Sequence, residues 1–514
     1  MSFKLRSLVA TTLASTVLLG LSGVAFADSN TDLVQALVTK GVLTEEEGAL
    51  LTRGRAEEMG VQQKKEKKFA EGKVGGAVNI RGYLQVRNTT MLGGDEGVNL
   101  WSDRSVGDDR SNGDQDKNFL IRRARVILFG DIGERLYYYI QPDFASSVGG
   151  TTNSNSGSGN FAQLRDAYGD LKLTKDNVHR IRVGQSKVPF GFENLQSSQN
   201  RLALDRADAL NSALKDERDL GAFYYYTPVV TQELFKEISK LGLKHSGDYG
   251  QFGFGFYNGQ GANNRDRNDN YHMVARYTHP WKTESGQIYE AGIQAYTGDY
   301  VPVSTGAYRS NIGVRSIAQV NALGCGSTPT LTSAGAVTGT TSASTAANPY
   351  KNCTPRTASE GANGFKDERV ALSFMMYPQP FGLQAEWNWG TTPGLNVANN
   401  TIEEQNLNGG YIQAMYKIDN FKVFETNGTL IPFVRYQYFD GYNKAESNAA
   451  KNNVNDWEIG AEWQIAPEVE LVAYYHKMKR TNLVTGIQTA EFPNRVDYEK
   501  FDADALRVQL QYNF

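Results

Sequence analysis

The chain closes on DALRVQLQYNF, and no other stretch constrains the fold as tightly. Leu506, Val508, Leu510, Tyr512 and the terminal Phe514 fall on one face of an extended strand, and Arg507, Gln509, Gln511 and Asn513 fall on the other. A strand that is apolar on one side, polar on the other and ends in an aromatic suits a sheet with lipid outside and water inside. The same period of two begins near Val74. In VNIRGYLQVR, Val78, Ile80, Gly82, Leu84 and Val86 share one face, while Asn79, Arg81, Tyr83, Gln85 and Arg87 share the other. It recurs from 118–130 through 468–479 to 503–514. Only in 118–130 is the wet face ambiguous, because Arg122, Arg123 and Arg125 cannot all point one way in a regular strand.

Strand parity then selects the architecture. Residues 219–248 contain GAFYYYTPVV and KLGLKHSG, which read as two strands or as one strand with an insertion. One strand there gives sixteen in all, with the long connections (91–117, 147–161, 188–218, 259–269, 300–366, 391–409, 440–455 and 480–502) on one side and seven short turns on the other. An even count with long loops on one rim is what a transmembrane barrel requires, and sixteen strands leave an aqueous lumen. The expected fold is all-β: a 16-stranded antiparallel transmembrane β-barrel with a short N-terminal helical segment. The 27 Tyr, 24 Phe and 52 Gly against 14 Pro fit such strands better than a helical membrane protein.

Residues 1–27 carry Lys4 and Arg6, an apolar run from about Leu8 to Leu21, and Ala25-Phe26-Ala27, the pattern of a cleaved secretory signal. The run is too short to span a bilayer as a helix. Of 53 basic residues, the 51 left after Lys4 and Arg6 face 56 acidic ones, a net charge of −5 that does not describe a nucleic-acid binder. Residues 28–70 read as a periplasmic helical or coiled-coil segment and linker: Leu33, Val34, Leu37 and Val38 form one stripe, Thr44 and Glu47 a capping box, and QQKKEKK the linker. Residues 71–514 are the barrel. In an exported chain, Cys325 and Cys353 fit a disulfide across one loop better than a metal site or two free thiols.

FLIRRARVILFGDIGERLYYYIQPDFA, LRDAYGDLKL, HRIRVGQSKVPFGFENLQSSQNRLALDRADALNSA and ERDLGA, in that order, resemble the phosphate-selective porin O and P family. The likeness covers about 74–514 and is strongest between 119 and 222. It implies a trimeric outer-membrane channel of a Gram-negative cell, set in lipid, that takes up small anions such as phosphate. Lumen arginines and lysines would lead to a constriction lined by an infolded loop. Carried to this sequence, Arg165, Arg180, Arg182 and Lys187 lead into that loop, and Arg201, Arg206 and Arg218 lie within it. Wet faces of strands add Arg81, Arg87, Arg435 and Arg507. From Lys187 to Arg218, however, five basic residues meet five acidic ones (Glu193, Asp205, Asp208, Asp216, Glu217), which supports the fold better than phosphate selectivity.

The five histidines have no HExxH or CxxC companions, and neither G-x-S-x-G nor GxxxxGK[ST] occurs. The reading is therefore a channel that needs no cofactor or metal, with a non-selective porin or a structural sheath for another exported protein as the alternatives.

Overall fold

The computed structural model describes residues 38–40, 42, 44, 78–95, 98, 100, 117–145, 162–303, 330–331, 337–338, 364–397, 401–423, 425–487 and 495–514. The signal and the N-terminal helical segment, apart from five isolated positions, and both cysteines lie outside these.

Every strand of the main sheet pairs antiparallel with its chain neighbours. The sheet closes where the first strand, β1 (Asn79–Gly94), meets the last, β16 (Arg495–Asn513). Between them run β2 (Lys117–Ile132), β3 (Leu136–Asp143), β4 (Gln163–Lys172), β5 (His179–Lys187), β6 (Arg218–Tyr226), β7 (Phe252–Tyr257), β8 (His272–Lys282) and β9 (Ile288–Tyr300). They continue as β10 (Phe365–Met376), β11 (Phe381–Asn396), β12 (Thr401–Tyr416), β13 (Thr426–Tyr442), β14 (Lys451–Ala466) and β15 (Val469–Ile487). The short strand Ile418–Val423 prolongs β12 past Lys417 along β13, so the seventeen hydrogen-bonded segments make sixteen staves.

The alternation runs as the residue pattern requires. Along β1, Ile80 is 67% exposed on the outer wall, whereas Gln85, Arg87 and Thr89 face inward and are fully buried. Aromatic rings gather beside the short turns, as in the Trp281–Tyr289 stack at 5.3 Å flanking the β8–β9 turn, where an interfacial girdle belongs.

Three expectations change. The connection between β6 and β7 (227–251) is not a short turn. It carries the helix Val229–Lys240, which places Thr231, Phe235 and Ile238 in the interior. The stretches 391–409 and 480–502 are largely strand and only 443–450 of 440–455 is a loop, because β11 to β16 run for 16 to 19 residues and pair beyond the height a bilayer demands. Lastly, β2 does turn Arg123, Arg125 and the preceding Arg122 toward the interior. A β-bulge does this: Gln85 faces Arg123 while Val86 faces Ile121, which leaves Arg122 as the extra residue.

Candidate functional site

The β5–β6 loop, residues 188–217, folds into the lumen and crosses to the opposite wall. Gly191 starts the infolding at φ 83°, ψ 137°, a conformation open to glycine, where a Cβ would press on Leu210 and Glu386. The one-turn helix α1 (Phe192–Leu195) follows. Its Phe192 and Glu193 amides donate to the two oxygens of Glu386 on β11 at 2.5 and 2.7 Å, and Tyr411 Oη donates to the same carboxylate at 2.8 Å. Arg435 on β13 grips Glu193 with both terminal nitrogens, at 2.6 and 3.1 Å.

Further along, Asp205 takes Arg87 of β1 at 2.9 Å and Arg507 of β16 at 2.5 Å, with Arg122 at 3.7 Å. In the second one-turn helix, α2 (Asp208–Asn211), Asp208 accepts from Arg480 of β15 at 2.7 Å. Arg369 of β10 donates to Ala209 O at 3.0 Å and to Ser212 Oγ at 2.9 Å. Between these ties, Phe190, Leu210 and Leu214 pack on Tyr411, Phe439 and Val454 of the wall. The inner face of β12 to β14 is apolar where it receives the loop, and this part of the wall departs from polar-in alternation.

The flank toward β2–β6 is electropositive. Glu217 stands among Arg218 (3.2 Å), Arg165 (3.4 Å), Arg206 (3.5 Å) and Arg201 (4.0 Å), while Arg218 also pairs with Asp166 at 2.9 Å and Arg165 with Asp216 at 3.2 Å. Arg165 is itself the extra residue of a second bulge, since Gln141 faces Asp166 and Pro142 faces Leu164. With Lys187, whose Nζ donates to Leu195 O and Gln196 O, five cations meet three carboxylates here. Burial pushes the Glu217 carboxyl up, but Arg206, Arg218, Lys187 and Arg165 outweigh it and hold it well below the usual carboxylate range. Arg87, Arg507 and Arg122 do the same for the buried Asp205.

Arg201 is the exception to this matching. It is buried, its Nε and Nη1 have no hydrogen-bond partner among the described residues, and Glu217 is its nearest carboxylate at 4.0 Å. Burial lowers its guanidinium to about 10 against the pull of Glu217, so it stays charged at neutral pH. Arg123 donates to Gln85 Oε1 at 2.8 Å and also keeps Nε without a hydrogen-bond partner.

The sequence candidates therefore separate into groups. Arg165, Lys187, Arg201, Arg206 and Arg218 converge at the loop. Arg87 and Arg435 anchor it. Arg180 pairs with Asp248 at 2.9 Å and Arg182 with Asp170 at 2.7 Å on the wall, and Arg81 is exposed at the short-turn rim over the Phe129 ring. Sequence reasoning missed Arg122, Arg123, Arg125, Arg369 and Arg480. The RRAR run in β2 was the available signal for the first three, but its bulge was not foreseen.

A closed sixteen-stave barrel with a charged loop folded across its lumen defines an outer-membrane channel. The chain belongs to the phosphate-selective porin O and P family, whose sequence model matches residues 97–322 and 319–514. No curated protein matches it in sequence. Similar solved structures include the outer membrane channel DcaP of Acinetobacter baumannii (14% identity, TM-score 0.44, covering 86% of this chain and 98% of that one). Another is the anion-selective porin from Comamonas acidovorans (12%, 0.42, 86% and 100%).

Proposed function

We propose that this channel passes small hydrophilic solutes by passive diffusion with a preference for anions such as phosphate. The carrying observation is the surplus of cations where the infolded loop meets β2–β6, with Arg201 holding two unused donors. Fixed charge selects ions where the passage narrows, since water and salt elsewhere screen it within about 8–10 Å. Arginine suits oxyanions because its fork matches paired oxygens. Around it most charges are matched, which gives weak, multi-step binding from which an ion can leave. That same matching supports a second reading, a weakly selective general porin. Reversal potentials in a salt gradient separate the two: an anion-side reversal that R201A diminishes supports the first, and a zero-shifted one supports the second.

The same reading makes the protein a homotrimer in the outer membrane, exported through residues 1–27, with 28–70 as a periplasmic helical segment. Support for the trimer comes from the low wall. Strands β3 to β7 have only 6 to 10 residues. At about 3.3 Å per residue and tilted, the shortest falls below an apolar band of about 25 Å. Leu136, Val183, Leu220, Phe254 and Phe256 are exposed along it, and a neighbouring copy would cover them better than lipid. Nothing in this arrangement calls for catalysis.

A further inference from the structure

The helix in the β6–β7 connection, α3 (Val229–Lys240), and the residues after it divide the short-turn mouth into two chambers that meet at Asn200. Phe235, Ile238 and Leu243 pack on Leu202 and Leu204 of the infolded loop. Lys244 is fastened between Glu462 at 2.5 Å and Glu470 at 3.0 Å on β14 and β15. The chamber beside these strands, about 630 Å³, is lined among the described residues by Asp419, Glu470, several amides, His245 and the paired Lys244, with no arginine. The opposite chamber, about 360 Å³, lies against β1–β5 and is built differently.

Its cations are of two kinds. Arg125, Arg182 and Arg218 are balanced by Asp143 (2.7 Å), Asp170 (2.7 Å) and Asp166 (2.9 Å). Arg81 and Lys187 form no ion pair with any described carboxylate, although Lys187 is buried and spends two of its donors on backbone carbonyls. Around them stand the phenols Tyr137, Tyr139, Tyr168 and Tyr249 and the hydroxyls of Ser197 and Ser198. The phenol faces are taken: Tyr139 stacks on Tyr168 at 5.2 Å, and the Arg182 guanidinium covers Tyr168 at 3.7 Å. What they leave for the chamber is ring edges and hydroxyl groups, of which Tyr139 Oη already donates to Gln141 Oε1 at 2.9 Å and Ser198 Oγ already bonds Tyr83 Oη at 2.6 Å and accepts from Arg125 Nη1 at 3.2 Å. Among the described residues, Ile127 and Leu195 are the only aliphatic side chains in the lining.

A bare tetrahedral oxyanion would use the two unmatched cations and leave most of this volume, and nearly all the hydroxyls, to water. A cavity in the range of small-molecule sites, about 300–1,000 Å³, with many hydroxyl and amide partners and a small positive surplus fits a larger solute. We propose that this chamber is a binding station for a polyol carrying one phosphate or carboxylate group, its anionic end at Arg81 and Lys187 and its hydroxyls on the tyrosines and serines. This rests on the anion-channel reading above and adds the solute class and the exit it uses.

The test is block of chloride current through the full-length channel in planar bilayers by glucose 6-phosphate, gluconate, inorganic phosphate and glucose. Glucose 6-phosphate is expected to half-block at a concentration about tenfold below inorganic phosphate, and gluconate about tenfold below glucose, with the two anionic polyols ranking the anionic group preferred. Y139F removes one oxygen that can accept from a solute hydroxyl and should raise the glucose 6-phosphate value about tenfold while moving phosphate less than about twofold, whereas R81Q removes a partner of the anionic group and should raise both values about tenfold. N427D, in the other chamber, should move neither. Equal block by phosphate and glucose 6-phosphate, or block that Y139F and R81Q leave unchanged, overturns the proposal while an anion-side reversal potential keeps the channel reading. Selective polyol block in a channel without anion preference would do the reverse.

Discussion

At the residue scale, the loop works through a few carboxylates that each hold several arginines. Glu217 is central, and E217Q should leave Arg201 and Arg206 without their carboxylate while Arg218 keeps Asp166 and Arg165 keeps Asp216. The expected result is a reversal potential moved further to the anion side and a loop loosened by on the order of 3 kcal/mol, the usual penalty for breaking a buried pair. An unchanged reversal potential in E217Q would mean that Glu217 lies off the ion path. The pH dependence has a definite sign. Unfolded carboxyls titrate near about 4, and Glu217 and Asp205 in place titrate well below their usual range. Their stabilisation is complete above about pH 5 and is lost as pH falls through the folded values. The part of ion selectivity that Glu217 sets should therefore stay flat from about pH 8 down to about pH 5 and change only in stronger acid, as the difference in reversal potential between the channel and E217Q, followed against pH, would record.

At the element scale, two pieces close the lumen. R435L would leave Glu193 buried without its bidentate partner and should free α1 at a cost of about 3–5 kcal/mol, seen as greater protease access to 188–217. K244M would leave Glu462 and Glu470 facing each other and should unseat α3, raising single-channel conductance. Unchanged conductance would place α3 outside the permeation path.

This is also the scale at which the sequence was least informative. The strand count was legible, because the outer face must be apolar along every stave and the period of two survives. Strand length was not, since a stave that rises above the bilayer loses its apolar face, and 391–409 and 480–502 then resemble loops. Helix α3 was legible in principle: Pro228 precedes VVTQELFKEISK, where Thr231, Phe235 and Ile238 repeat at helical spacing. The bulges at Arg122 and Arg165 were not, because an extra residue is defined only against its partner strand. The site was accordingly half-read: the converging basic residues of the loop were named, but not the wall arginines that the bulges add or the carboxylate that each arginine meets.

At the scale of the whole molecule, the barrel is lopsided, with a low wall at β3–β7 and a tall one at β11–β16. If the low wall is where copies meet, F254K should convert the slow-migrating species on unheated detergent gels to monomer, whereas the same charge at Trp457 on the tall wall should not. The central claim is that a positive surplus inside this barrel sets its ionic preference. The most direct measurement is the zero-current potential of the purified channel across a tenfold KCl gradient. The account predicts a potential of the sign for chloride preference, reduced by R201A and enlarged by E217Q. A potential of the opposite sign, or one that neither substitution moves, would contradict it.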